Sequence, residues 1–305
     1  MMNYSVKVMD RYFIPNVAGI GDWIMRSAIV RDILIAHPDI EMYSSNKAIQ
    51  WRNKDVIRCK KRKAINKFGA KRIAMRYYPG VKRTKREDGY KTYYELMRGF
   101  TEGQIGRPIP ETVPHATLSL FDEEKEKASH LPDKYCVLLA QSKTQFKTWG
   151  QENFQKCIDA LRGDVQFVSI GAMDTEQSTL DGVVDLRGKT TLSEAISIVH
   201  HSKCLLSSVG LGSHLGACVP TVDGDYSRKF VTIFGGKEHP DRLPYENMIG
   251  FHSVGKLDCC AKTDCYRRKQ FGCYRKNQGL VKDCFKMINP EEVALSVSEI
   301  YNEQD

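Results

Sequence analysis

A chain of 305 residues can bury a substantial core, and at roughly 150 residues per domain it is expected to form two lobes. No stretch approaches the roughly 20 apolar residues of a membrane-spanning helix, and the opening Met1 to Ser5 lacks the basic and apolar regions of a secretion signal, so a soluble, cytoplasmic protein is expected. A formal charge of +9 decides little by its size, but it is concentrated in one segment.

Ser5 to Ile14 mixes Val, Tyr, Phe and Ile with polar residues and predicts a strand, while Ile24, Ala28, Ile29, Ile33 and Leu34 recur at helical spacing. Between them lies Val17-Ala18-Gly19-Ile20-Gly21-Asp22, two glycines and one carboxylate in a turn. Glycine lets the backbone reverse and approach a ligand, and the helix start adds unpaired N–H groups with a positive dipole end. Asp22 then has two readings, a general base at a cleft or a helix cap.

From Arg58 to Arg86 there is no acidic residue, and basic residues including Arg62, Lys63 and Arg83 crowd around Tyr77 and Tyr78. Such a surface suits a phosphate-rich partner: nucleic acid, a phosphorylated glycolipid or an anionic membrane face met peripherally. The alternative is a solvated face or a loop. A Tyr-rich helical patch follows at Tyr90 to Phe100, then the proline-rich run Gly106 to Pro114, which excludes regular helix or central strand. The acidic run from Asp122 predicts a short helix before the linker Leu131-Pro132-Asp133, which divides the chain into an N-terminal domain, 1–132, and a C-terminal domain, 133–305.

Beyond the linker, short apolar strands at Tyr135 to Ala140, Val165 to Ile170, Cys204 to Ser207 and Val231 to Phe234 alternate with helical stretches such as Asn153 to Leu161 and Leu192 to His200. This alternation predicts an α/β fold with a parallel, doubly wound sheet. Ligands then sit at the carboxyl ends of the strands, so the segments after Ala140, Ile170, Ser207 and Phe234 are the candidate sites. Those segments include Gln141-Ser142-Lys143-Thr144-Gln145-Phe146-Lys147-Thr148-Trp149, Gly171 to Glu176, and Ser208-Val209-Gly210-Leu211-Gly212-Ser213-His214. Asn289 to Ile300 reads as a capped amphipathic helix with Pro in its first turn.

Taken in order with the Gly19-Ile20-Gly21-Asp22 turn, these elements resemble glycosyltransferase family 9, the ADP-heptose:lipopolysaccharide heptosyltransferases and their relatives. The resemblance implies a GT-B architecture of two Rossmann-like lobes facing across a cleft, with a nucleotide-sugar donor, such as ADP-heptose, on the C-terminal lobe and the acceptor on the N-terminal lobe. It implies Asp22 as catalytic base and Lys147 as the cation on the donor phosphates, with Gln141, Ser142, Glu176, Gly210, Gly212, Ser213 and His214 as further donor contacts. Gly19, Gly21, Arg62, Lys63 and Arg83 would meet the acceptor. One position departs from the family pattern: the acid five residues before the histidine is replaced by Val209. His214 reads equally as a buried structural histidine, and Trp149 as a core residue or a donor contact.

Cys259, Cys260, Cys265, Cys273 and Cys284 are half of the ten cysteines and fall in one short segment. Four thiolates around a tetrahedral ion carry two net negative charges, which Lys262, Arg267, Arg268, Lys269, Arg275 and Lys276 would offset. The preferred set is Cys260, Cys265, Cys273 and Cys284, with Cys259 as substitute, holding structural zinc or iron; no catalytic metal is expected. Some family relatives that modify autotransporter proteins hold iron on a similar cysteine finger. The alternative is reduced, partly buried thiols. The function expected is an inverting glycosyltransferase that moves a sugar to a hydroxyl of an anionic acceptor such as lipopolysaccharide core. Two alternatives stand beside it: a phage-type enzyme acting on a hydroxylated base of DNA or RNA, and a non-catalytic binding protein retaining the fold.

Overall fold

A computed structural model of the protein describes residues 10–15, 19–45, 57–58, 61–77, 89–118, 120–128, 131–140, 147–173, 179–260 and 281–303. These divide into two units, one drawn from 1–81 and 91–116, the other from 82–90 and 117–305. In the first, strand β1 (Asp10–Ile14), helix α1 (Ile20–Ala36) and strand β2 (Ile40–Ser44) precede β3 (Ile57–Arg58), α2 (Lys61–Phe68), β4 (Lys71–Arg72) and α3 (Tyr93–Ile105). All four strands are parallel, in the order β3-β2-β1-β4. The chain therefore winds one way from β1 through β2 to β3 and returns to the opposite side of β1 with β4.

Helix α1 packs on β2 and α3, so it is buried beyond the predicted stripe: Trp23, Met25 and Val30 join Ile24, Ala28, Ile29 and Ile33. Helix α3 begins at a capping box, where the Thr92 side chain accepts from the Glu95 N–H and the Glu95 carboxylate accepts from the Thr92 N–H. It ends at Gly106 with φ +69°, the left-handed conformation that glycine adopts without penalty. Part of the basic segment is ordered structure rather than loop: α2 sets Ala64 into a small core with Phe13, Tyr43 and Ala70, and leaves Lys63 and Lys67 exposed.

The core of this unit encloses one carboxylate. Asp32, 0% exposed, accepts hydrogen bonds from Arg31 at 3.0 and 3.1 Å, Arg98 Nη2 at 3.2 Å and Thr112 Oγ1 at 2.6 Å. It ties α1 to α3 and to the proline-rich run, which explains how a segment without regular structure is held.

In the second unit, helix α4 (Asp122–Lys125) is followed by β5 (Cys136–Leu139), α5 (Gln151–Ala160), β6 (Phe167–Ser169), β7 (Val183–Asp185), α6 (Leu192–His201), β8 (Cys204–Ser208), α7 (Leu211–Cys218), β9 (Phe230–Gly235), β10 (Met248–His252), α8 (Asp283–Lys286) and α9 (Pro290–Asn302). The six strands are parallel, in the order β10-β9-β8-β5-β6-β7. This is the doubly wound arrangement read from the strand–helix alternation. Strands β7 and β10 went unread because they are edge strands whose residues are mostly half-buried and carry no continuous apolar run.

Alternation sends Cys136, Leu138, Phe167, Cys204, Leu206, Val231 and Ile233 to one face, covered by Trp149, Phe154, Cys157 and Ile158 and by Val293, Ala294 and Val297 of α9. Helix α7 lies on the other face. A Cβ on Gly216 would come within 2.8 Å of the Phe230 ring, and one on Gly212 within 2.4 Å of the Ser207 Cβ, so both glycines are required for that approach. Glu124 of α4 accepts from Ser193 Oγ of α6, and the Leu118 N–H donates to the Cys218 carbonyl, so 117–128 pack with this unit ahead of the linker at Leu131.

Asp32→Ala would leave the guanidiniums of Arg31 and Arg98 without their shared carboxylate, and a loss of about 3–5 kcal/mol is expected. Urea denaturation followed by tryptophan fluorescence measures it; a loss below about 1 kcal/mol would mean that Asp32 does not organise this core.

Candidate functional site

In both sheets, winding reverses beside one strand, β1 in the first and β5 in the second. Loops leaving the carboxyl ends on either side of such a point part in opposite directions and open a crevice. The chain directly after β1 leads to Asp22, and the chain after β5 leads to Lys147.

Asp22 is the third residue of α1 and is half-buried. The N-cap is Gly19, which has no side-chain capping bond, and the helix opens with the Trp23 N–H donating to the Gly19 carbonyl at 3.2 Å. Asp22 is therefore not the cap. Its carboxylate makes no hydrogen bond to a described residue, although it raises the proton affinity of Arg26, one turn on, against the stronger lowering by burial. Arg26 stacks on the Trp23 ring at 4.9 Å. Lys63 is exposed on α2; Arg83 and the side chain of Arg62 lie outside the described residues.

At the carboxyl ends of β5, β8 and β9 the second unit builds a denser cluster. Ser208 Oγ donates to the Ala140 carbonyl at 3.1 Å and joins β8 to β5. Gly210, at φ +151°, turns the chain into α7, and a Cβ there would meet nothing within 4 Å among the described residues. Ser213 is buried, its Oγ accepting from the Gly210 N–H at 3.4 Å and from Thr232 Oγ1 at 3.3 Å. His214 is 6% exposed, with Nδ1 2.6 Å from the Tyr245 hydroxyl. Burial first, and then the Lys147 charge, push its pKa down to about 3, so the ring is neutral at physiological pH. Lys147 itself pairs with Glu238 in the turn after β9, Nζ to Oε1 2.8 Å.

Glu238 and Tyr245 were not read from the sequence. The signal for Glu238 lay in the segment after Phe234, where two glycines, Gly235 and Gly236, precede an acid at a strand's carboxyl end. Gln141, Ser142 and Glu176 lie outside the described residues. Val209 is buried, and its N–H extends the ladder to the Ile233 carbonyl. Trp149 is core: it is 0% exposed, donates from Nε1 to the Ile288 carbonyl at 3.3 Å and meets Phe154 edge-on.

The thiols of β5, α5 and β8 are core. Cys136 and Cys204 are register neighbours on β5 and β8, and burial holds the Cys136 thiol well above its ordinary range and Cys157 up to about 12, so both stay protonated. Around the cysteine cluster, Cys260 and Cys284 converge on Gly236: a Cβ there would lie 3.1 Å from Cys284 Cβ and 3.6 Å from Cys260 Sγ. Cys265 and Cys273 lie outside the described residues, and among the described ones no group of three metal-ligating side chains gathers.

No family model matches the chain. Over 151 residues it is 24% identical to lipopolysaccharide heptosyltransferase 3 of Escherichia coli K12, a stretch covering 46% of this chain and 42% of that protein, so the chain spans less than half of this curated relative. In fold it is similar to the glycosyl transferase family 9 protein of Veillonella parvula DSM 2008, with a TM-score of 0.62 at 14% identity over 97% of this chain and 99% of that one. It is also similar to the iron-containing dodecameric glycosyltransferase TibC of enterotoxigenic E. coli H10407, with a TM-score of 0.68 at 15% identity over 97% of this chain and 77% of that one. TibC has also been solved in complex with ADP-D-β-D-heptose. The chain carries the GT-B fold. It resembles the family 9 heptosyltransferases, as the order of its sequence motifs implied, and Asp22 and Lys147 each follow the first strand described in their unit.

Because the folded-state pKa of His214 lies below the ordinary 6.5, unfolding takes up a proton in the interval between. The stability it contributes is complete above about 6.5 and is lost as pH falls through that interval toward about 3. His214→Gln is therefore expected to flatten the decline of the urea midpoint between neutral pH and about pH 4, and an unchanged slope would mean that the ring is not held neutral.

Proposed function

We propose that the chain is an inverting glycosyltransferase that transfers a sugar, a heptose by analogy with its relatives, from a nucleotide-sugar donor to a hydroxyl of an anionic acceptor such as lipopolysaccharide core. One observation carries the reading: two groups of opposite charge stand after the reversal strand of two separate parallel sheets, Asp22 without a hydrogen-bonding partner among the described residues and Lys147 paired with the buried Glu238. Displacement at an anomeric carbon needs a base that takes the acceptor hydroxyl proton as the oxygen attacks, and the Asp22 carboxylate suits that step. As the bond to the diphosphate breaks, negative charge grows on the leaving group. The Lys147 ammonium and the N–H groups opening α7 stabilise it more in the transition state than in the ground state. The exposed Lys63, Lys71 and Arg72 support an anionic acceptor.

A cytoplasmic location is supported by the reduced thiols Cys136, Cys157 and Cys204. A structural metal, zinc or iron, on Cys260, Cys265, Cys273 and Cys284 is supported by the convergence of Cys260 and Cys284 on Gly236. Bound there, a four-thiolate ion would brace the turn after β9 and leave no coordination position for substrate. The competing reading, a non-catalytic binding protein, draws on Val209, which supplies no carboxylate where the family pattern has one.

Asp22→Asn is expected to lower turnover of the nucleotide sugar at least ~10²-fold while donor affinity and the unfolding midpoint stay near wild type. Undiminished turnover, or a wild type that takes up no nucleotide sugar, would overturn the enzyme reading. Elemental analysis after anaerobic purification is expected to find close to one metal ion per chain, and metal-free protein would remove the metal site.

A further inference from the structure

Glu238 is a carboxylate only 2% exposed whose single partner among the described residues is Lys147 Nζ. An ionised carboxylate offers about four lone-pair sites, and burying one so incompletely paired is unfavourable. Among the described residues no second donor meets it. Of the polar groups at the neighbouring strand ends, His214 Nδ1 is engaged with the Tyr245 hydroxyl and Ser208 Oγ donates to the Ala140 carbonyl. Nor is the turn loose. A Cβ on Gly235 would come within 2.6 Å of the Phe285 ring, and Gly236 is closed in by Cys284 and Cys260, so Glu238 is presented from a backbone held on both sides.

We propose that Glu238 is the residue by which this protein reads the sugar of its donor, a step that rests on the glycosyltransferase reading above. A carboxylate touching the ammonium that meets a diphosphate repels phosphate oxygens but accepts hydrogen bonds from hydroxyls placed beside them. A sugar linked directly to a diphosphate supplies both groups in adjoining positions. One Glu238 oxygen orients Lys147 and the remaining lone pairs receive sugar hydroxyls, so the acid that Val209 lacks comes from the neighbouring strand.

Calorimetric titration of wild type and Glu238→Gln tests this, using the nucleotide sugar that the wild type takes up from a panel of ADP-, UDP- and GDP-linked sugars, and the matching nucleoside diphosphate alone. Glu238→Gln is expected to weaken the nucleotide sugar by roughly 10- to 100-fold and to change the affinity for the nucleoside diphosphate by less than about threefold. Glu238→Asp keeps the charge but withdraws it by one methylene, and is expected to give a smaller loss confined to the sugar-bearing ligand; it carries the test if Glu238→Gln does not fold. Equal losses for both ligands would assign Glu238 to Lys147 alone, and unchanged affinities would assign it no role; either overturns the proposal while the glycosyltransferase reading stands. A wild type that binds no member of the panel overturns both.

Discussion

Neighbouring parallel strands are joined only by crossovers, and where successive crossovers go to opposite sides of a sheet the backbone cannot fill the space at the carboxyl end. Each unit of this protein contains one such place, beside β1 and beside β5. The constraint is topological, so it holds whatever side chains stand there. It leaves the chemistry to the few residues that the next loop happens to carry. In the first unit these are a glycine cap and a carboxylate one turn into α1; in the second they are a lysine, a glycine turn and the first turns of α7.

The buried charges separate into two kinds. Asp32 and Arg228 are saturated: Asp32 takes donors from two arginines and a threonine, and Arg228 donates to the carbonyls of Ser202, Val219, His200 and Pro220. Burial, against the opposing effect of Tyr135, Cys204 and Asp225, lowers the Arg228 pKa to about 10, which still leaves it charged at neutral pH, and its four carbonyl partners close the ends of α6 and α7. Such groups tie irregular segments to the core and have nothing left to offer a ligand. Lys147 and Glu238 are of the other kind, a close pair in which the acid has no second partner among the described residues.

The turn after β9 connects the two features of the second half that the sequence presented separately. Gly235 and Gly236 admit Phe285 and Cys284 from one direction and Cys260 from another, and two residues later Glu238 reaches Lys147. A cysteine cluster more than twenty residues long in sequence therefore begins and ends against the backbone that carries Glu238. Anything that organises those thiols also organises this turn.

Composition, period and spacing were sufficient for the class of the fold, the strands at β5, β6, β8 and β9, the helix after Gly21 and the C-terminal helix, because each is a local pattern: an apolar run, a capped stripe, a glycine turn. They drew attention to Asp22, which follows a strand and a glycine turn, whereas Lys147 was named only through the resemblance to family 9. Local pattern does not reach the edge strands β7 and β10, whose pairing with a neighbour, rather than their hydropathy, makes them strands. Nor does it choose between readings of one side chain. That Gly19 rather than Asp22 caps α1, that Trp149 is core, and that His214 is a neutral partner of Tyr245 were decided by packing between residues up to 139 positions apart. In the sequence Glu238 is only an acid two residues beyond a pair of glycines; its burial and its pairing with Lys147 come from the tertiary structure, because residues of other elements exclude its water and supply the cation.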